Sequence, residues 1–197
     1  MKNSKLKEYL RSYIASFKQI ELKGNIYVAL VLYFLIMMFL FSLSRIGFYL
    51  YNKDLFSEIP MGKFMRIMAG GLKFDVSAIL YTNMLFFFLY LIPQPFRYHR
   101  IFRSILKYIF FVFNGIVLAA NVADFIYYKF TLRRTTYKVF GEFRNEENGL
   151  KLFFQFIIDY WYAVLFWIGL IVLMVFLFKK VKINKPKVKN HLFFYTT

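Results

Sequence analysis

Two apolar runs of the sequence carry polar side chains on one face. At about 100° per residue, the longer set falls within an arc of roughly 80° of a helix, and the shorter set within a comparable arc. Polar groups are expensive in hydrocarbon and normally face the interior of a helix bundle or a wet cavity. The two stripes could therefore meet. They consist of Asp75, Thr82 and Asn83 in the earlier run, and of Asn114, Asn121, Asp124 and Tyr128 in the later one.

These side chains suit three kinds of chemistry. Their amides and carboxylates can form hydrogen bonds between helices and so fix the bundle. Alternatively, Asp75 and Asp124, both expected near the outer leaflet, order a basic loop or accept a polar lipid headgroup. A proton or ion pathway is the third reading, which is disfavoured because it requires carboxylates deeper in the membrane.

A basic loop follows the second stripe and contains the adjacent Arg133 and Arg134. A planar guanidinium donates two parallel hydrogen bonds to a phosphate, so this pair suits a phospholipid headgroup. Ordinary anchoring of a basic juxtamembrane segment to headgroups is the alternative.

Catalytic motifs are missing from the sequence. There is no cysteine, no HExxH, no P-loop and no GxSxG, and the two histidines are His99 and His191, both in basic segments. Glu146 and Glu147 read as part of a solvated loop rather than as an acid/base pair. We therefore expect no catalytic residue, metal site or cofactor within these 197 residues.

Composition indicates a membrane protein, since 60% of the residues are hydrophobic and 23% are aromatic. The net charge of +17 could suggest nucleic acid, but the Lys and Arg residues cluster between the apolar runs instead of forming one polar face. Nucleic acid is therefore not an expected partner. The expected partners are membrane lipids.

The fold class predicted from the apolar runs is an all-α membrane protein with about four transmembrane helices. A run of about 20 apolar residues crosses a hydrocarbon core of about 30 Å. The runs predict a bundle over residues 26–178, flanked by a basic amphipathic segment at 1–25 and a basic tail at 179–197. The four spans are expected at about 26–50, 74–92, 104–128 and 160–178.

Several segments next to the spans are expected at the membrane surface. Arg45 is expected to extend outward to the headgroups from the end of the first span. Residues 60–68 and the Phe-rich stretch 152–158 suit short interfacial helices. Residues 191–197 resemble the start of a fifth span that stops, although an interfacial tail is also possible.

The distribution of charge predicts the orientation. The N-terminal tail, the turn 93–107 and the tail 179–189 together hold sixteen Lys and Arg residues against only Glu8 and Glu21. Cytoplasmic segments are enriched in Lys and Arg, so these three segments and the N-terminus are expected in the cytoplasm. The expected location is the cytoplasmic (inner) membrane.

The stretch Gly71-Leu-Lys-Phe-Asp-Val-Ser77 resembles the membrane domain of the lipoteichoic acid synthase and phosphoglycerol transferase group, membrane-anchored relatives of sulfatases and alkaline phosphatases. Further points of likeness cover roughly residues 20–197. They are Asn83 in the same span, Asp124 followed by Tyr127, Tyr128 and Phe130, then Arg133-Arg-Thr-Thr136, and Tyr160-Trp161 at the start of the fourth span.

This resemblance implies a five-helix anchor followed by an extracytoplasmic domain of the alkaline-phosphatase fold. That domain would carry a threonine nucleophile and a divalent metal, Mn or Mg. It would move a phosphoglycerol-type group from a phospholipid or hydrolyse sulfate or phosphate esters. The sequence stops where the fifth helix would begin, so those catalytic and metal-binding residues match no position here.

The leading hypothesis is that the chain is the membrane anchor portion of such a protein, with the catalytic domain as its partner. The alternative is a complete, small, non-enzymatic four-helix membrane protein with a structural or assembly role. A transporter or channel is less favoured, since the sequence has no internal repeat, no broken mid-membrane helix pair and little deep charge.

Overall fold

The structure is a computed structural model that describes residues 22–56, 59–92, 99–133, 155 and 157–183. This part of the chain is mostly helical. Two short parallel strands, β1 and β2, pair next to the bundle, and a single 3-10 turn, Lys53–Leu55, follows the first helix. The elements are β1 (Leu22–Gly24), α1 (Ile26–Tyr51), α2 (Met61–Thr82), α3 (Met84–Leu91), α4 (Arg100–Thr131), α5 (Trp161–Lys180) and β2 (Val181–Ile183).

Helices α1, α4 and α5 are each long and apolar enough to cross a membrane. Helices α2 and α3 meet the same criteria only as a pair, and they are bent by 60° where they join. The chain is therefore a mostly helical, membrane-embedded protein with three to four spanning helices.

The helices alternate in direction, so the bundle has two distinct ends. At the Tyr51 end, α1 and α4 finish and α5 begins, and the hydroxyl groups of Tyr51 and Tyr162 lie 2.8 Å apart. At the opposite, Ile26 end, β1 pairs with β2, Leu22 being opposite Val181. The pairing holds the start of α1 beside the end of α5.

Local sequence explains where α1 begins and where α4 ends. Asn25 caps α1, since its side-chain oxygen accepts a hydrogen bond from the Val28 N–H at 3.0 Å. Helix α4 ends at Leu132, whose φ of 55° is left-handed. The Leu132 N–H closes the last turn on the Tyr128 carbonyl at 2.8 Å, as in many helix C-termini.

The second span differs from the sequence prediction, which placed one helix at about 74–92. Helix α2 already starts at Met61, so the predicted interfacial helix at 60–68 is the beginning of the same helix. The helix then breaks at Asn83, whose side-chain amide donates to the Ile79 carbonyl at 3.0 Å. A side chain that competes for helix carbonyls is a recognised cause of a kink. The chain thus has a broken span that the sequence analysis did not foresee.

The core is richest in aromatic rings near the Ile26 end. Tyr33 of α1 stacks on Phe178 of α5, with ring centroids 4.4 Å apart. Phe86 of α3 and Phe110 of α4 each lie 5.7 Å from the same ring. Offset and edge-on aromatic contacts of this kind add to the packing that holds membrane helices together. Tyr33 therefore joins four helices.

Several predicted features lie outside the described residues. These are the amphipathic segment at 1–25 apart from its last residues, the paired Arg134, most of the stretch 152–158 and the tail from 184 onward, including 191–197.

Candidate functional site

Arg45 is the centre of the most polar contact between α1 and α2. Its Nη2 donates to the Asp75 carboxylate at 2.5 Å and to the Gly71 carbonyl at 2.8 Å. Its Nη1 donates to the Met68 carbonyl at 3.1 Å. The side chains of Arg45 and Asp75 are only 14% and 10% exposed. One guanidinium thus fastens two turns of α2 to α1.

This geometry corrects the expectation that Arg45 extends outward to the headgroups. Arg45 lies six residues before the end of α1, which is about 9 Å inside it. At that depth a carboxylate and two helix carbonyls satisfy the guanidinium directly. Each carbonyl has two lone pairs, so it can accept from Arg45 in addition to its own helix.

Gly71 is required by the position of the guanidinium. A Cβ built on Gly71 would lie within bonding distance of the Arg45 guanidinium. Any side chain at position 71 would therefore displace the guanidinium. At Gly70, by contrast, an added Cβ would meet no atom within 4 Å. The two adjacent glycines therefore have different roles, one accommodating Arg45 and the other leaving open space.

A small polar cavity lies beside the ion pair. Its volume is about 20 Å³, which is sufficient for one water molecule. Asp124 and Asn121 of α4 line it together with Asp75 and Arg45, so the structure brings the two predicted carboxylates to the same cavity. Ser44, Phe41, Phe48 and Phe125 complete the lining.

The cavity is poorly suited to a metal ion. Arg45 already compensates the charge of Asp75, so this carboxylate is occupied and does not serve as a metal ligand. Among the described residues, no three His, Cys, Asp or Glu side chains come together as metal ligands.

Arg45 also lines a much larger, apolar groove. It has a volume of about 560 Å³, within the range of sites that hold small ligands. It runs between the last turns of α1 and the first half of α2, and Arg45 is its one charged lining residue. The other lining residues are Phe48, Tyr49, Phe56, Ile59, Phe64, Ile67, Met68, Gly70, Gly71 and Phe74.

The two polar stripes meet deeper in the bundle, at Asn83 and Asn114. The two amides form a reciprocal pair, with Asn83 Nδ2 to Asn114 Oδ1 at 2.9 Å and Asn114 Nδ2 to Asn83 Oδ1 at 2.7 Å. Each amide also donates to a carbonyl of its own helix, and both residues are at most 1% exposed. Every donor and acceptor of the pair is thus used, which suits a structural hydrogen bond between helices.

Replacing Asn114 with leucine should lower the free energy of unfolding by about 1–3 kcal/mol, because the Asn83 amide would lose both hydrogen bonds to its partner. The measurement is unfolding in mixed micelles with increasing dodecyl sulfate, followed by tryptophan fluorescence. Ser104→Leu is the matched control, since Ser104 is exposed on the same helix. Equal losses in the two variants would contradict a specific role for the pair.

Of the other predicted residues, Thr82 lies beside Asn83, whereas Tyr128 and Arg133 lie towards the Tyr51 end. Thr82 is half-buried one residue before the helix break, and Tyr128 packs edge-on against Phe48 with centroids 5.0 Å apart. Arg133 is exposed just beyond α4, while Arg134 lies outside the described residues. The structure therefore does not bring Arg133 to the cavity that Asp75 and Asp124 share.

Sequence reasoning overlooked two residues of this end. Arg45 was read as a flanking residue, although an apolar stretch continues for six residues after it and an aspartate occurs in the next run. Asn52, only 1% exposed, donates to the Phe48 and Phe125 carbonyls, both at 3.1 Å. No pattern in the sequence distinguishes Asn52 from an ordinary loop asparagine.

Comparisons with known proteins gave no match, whether against protein-family models, curated proteins or solved structures. The function must therefore be argued from the chain itself.

Proposed function

We propose that this chain is the membrane portion of an envelope protein of the lipoteichoic acid synthase and phosphoglycerol transferase type. It spans the cytoplasmic membrane with its N-terminus inside, and its Tyr51 end faces outward. There it holds an extracytoplasmic domain close to the phospholipid headgroups. That domain, with its divalent metal, would transfer phosphoglycerol-type groups or hydrolyse sulfate or phosphate esters.

The observation that carries the proposal is the use made of the Gly71–Asp75 stretch. Gly71 and Asp75 belong to the motif on which the resemblance rests, and Arg45 binds both of them. The spacing of four residues puts the Gly71 carbonyl and the Asp75 carboxylate on one face of α2. Gly71 and Asp75 therefore share one structural role in this chain, and this shared role is what supports reading the stretch as a motif.

The position of the polar groups supports a role at the membrane surface. The ion pair, the small cavity and the groove all lie near the Tyr51 end, and Lys129 there lies 5.5 Å from the centre of the Tyr51 ring. Arg133, exposed just beyond α4, is the group we assign to guiding a headgroup, whereas Asp124 lies in the cavity, which has room for one water molecule only.

Orientation can be tested by cysteine labelling, because the chain has no cysteine of its own. The exposed Lys53 and Lys182 lie at opposite ends of the bundle. In intact cells, a membrane-impermeant maleimide should label Lys53→Cys and leave Lys182→Cys unlabelled until the membrane is opened. The reverse pattern would refute the proposed orientation, and labelling after permeabilisation is the control for reactivity.

The identity of the protein is tested by sequencing the native transcript beyond the codon for Thr197. We expect a further apolar span followed by a metal-dependent phosphotransferase or sulfatase domain. A transcript that encodes no such domain would overturn the proposal and favour a non-enzymatic structural or assembly role.

A further inference from the structure

We propose that the groove between α1 and α2 is a binding site for one anionic diacyl glycerophospholipid. An acyl chain lies along the groove, an ester carbonyl accepts a hydrogen bond from Arg45, and the phosphate lies near Lys63. This site is distinct from Arg133 and Asp124, and it exists whether or not a catalytic domain follows the chain.

The shape and lining of the groove suit a lipid chain. Its 560 Å³ are bounded almost entirely by apolar side chains, and its floor is open at Gly70, where a Cβ would meet nothing within 4 Å. In a membrane, an open apolar groove is filled by hydrocarbon, because water is excluded from the lipid layer. The occupant is therefore a lipid chain.

Arg45 has hydrogen-bonding capacity left over. A guanidinium has five N–H donors, and three are used on Asp75, Gly71 and Met68. The other two find no acceptor among the described residues. An N–H without a partner is costly in hydrocarbon, so an oxygen is favoured there, supplied by a ligand in the groove or by a water molecule in the small cavity, since Arg45 lines both.

The depth of Arg45 in the membrane suits a contact with a lipid ester carbonyl. Helix α1 has 26 residues and a length of about 39 Å, which exceeds a hydrocarbon core of about 30 Å. Arg45, about 9 Å before the end of α1, therefore lies just inside the edge of that core. The ester carbonyls of glycerolipids lie at this level, between the acyl chains and the phosphates.

The positive charge of Lys63 suits an anionic headgroup. Lys63 is exposed on α2 and precedes Ile67 and Gly70 of the groove by four and seven residues, so it lies on the same side of the helix. It is also five residues before Met68, about 8 Å further towards the Tyr51 end. A lipid whose carbonyl is at Arg45 would thus have its phosphate near the Lys63 ammonium, which favours an anionic headgroup.

The test is lipid binding by the purified, delipidated chain, measured by native mass spectrometry during titration with dioleoyl phosphatidylglycerol. Gly70→Leu fills the groove and should weaken binding by about tenfold or more. Gly169→Leu is the matched control, because Gly169 is exposed on α5 and its added Cβ would also meet nothing within 4 Å. It should bind like the unmodified chain.

Two further probes test the placement of the lipid. Lys63→Gln should weaken phosphatidylglycerol binding by about fivefold and leave phosphatidylcholine binding almost unchanged. The dialkyl ether analogue of phosphatidylglycerol, which has no ester carbonyl, should bind more weakly than the diester.

Unchanged binding by Gly70→Leu would overturn the proposal, and so would equal losses in Gly70→Leu and Gly169→Leu, because the effect would then be general. Equal binding of the ether and diester lipids would overturn the contact with Arg45. All these results are independent of the transcript, so the failure of the groove and the failure of the proposed function can be told apart.

Discussion

Replacing Asp75 with leucine should lower the free energy of unfolding by about 3–5 kcal/mol, the usual cost of leaving one member of a buried ion pair without its partner. The Arg45 side chain is only 14% exposed and would keep its charge beside an apolar side chain. The hydrogen bonds from Arg45 to the Met68 and Gly71 carbonyls would offset part of the lost attraction. They would not neutralise the charge of the guanidinium. We expect the loss in unfolding measured in mixed micelles.

Ser77→Ala is the matched control for this variant. Ser77 is exposed on the same helix, and its hydroxyl donates only to the Lys73 carbonyl of its own helix, at 3.3 Å. Its removal should change stability by no more than about 0.5 kcal/mol. If Asp75→Leu were as mild as Ser77→Ala, Arg45 would have to be stabilised without its carboxylate, contrary to the geometry described above.

Among the glycines that the structure describes, Gly71 should be the one most damaged by replacement with alanine, with a loss of about 1–3 kcal/mol. The new Cβ would take the place of the Arg45 guanidinium, which would have to move away from the Gly71 carbonyl and the Asp75 carboxylate. The flexible arginine can move, so the cost comes from the lost hydrogen bonds more than from a backbone clash.

Gly70→Ala is the control one residue away. Its Cβ enters open space, and alanine favours a helix over glycine by about 0.5–1 kcal/mol, so this variant should be slightly more stable. In a variant that already carries Arg45→Met and Asp75→Leu, the further change Gly71→Ala should be neutral or stabilising. Should it remain damaging there, some contact other than Arg45 would be responsible.

Much of the bundle follows from the sequence because span formation is a local property. Length, apolar content and the position of charges in each run are sufficient to predict α1, α4 and α5. Asp75, Asn83 and Asn114 could be singled out for the same reason, since each is a polar residue in an apolar run.

The pairing of these residues could not be predicted from periodicity. A helical period tells which residues share a face and leaves open which face of another helix they meet. Arg45 is 30 residues from Asp75, and Asn83 is 31 residues from Asn114. Each partner is decided by the packing of whole helices, which a single sequence does not encode in any short pattern.

The break in the second span was missed for a different physical reason. Asparagine disfavours a helix only weakly, and nothing around Asn83 resembles the prolines that usually end one. The kink depends on the Asn83 side chain binding the Ile79 carbonyl while it also binds Asn114. The bend thus coincides with a contact to α4, and the sequence of the second span alone does not reveal that contact.

The ion pair and the groove are linked through α2. Arg45 draws the Met68–Asp75 part of α2 towards α1, and the groove lies along the same contact, with Arg45 in its wall. Loss of the ion pair should therefore change the groove as well as the stability. For this reason the lipid-binding test uses Gly70, whose replacement leaves the Arg45 contacts in place.

The coupling free energy between Arg45 and Asp75 is the decisive quantity, and a double-mutant cycle measures it. Arg45→Met, Asp75→Leu and the double variant are unfolded under identical micelle conditions. If the two residues form one unit, each single variant loses several kcal/mol and the double variant regains most of the loss, because no charge remains buried. If the losses add without recovery, Arg45 and Asp75 act independently, and the unit that we infer to hold α2 against α1 does not exist.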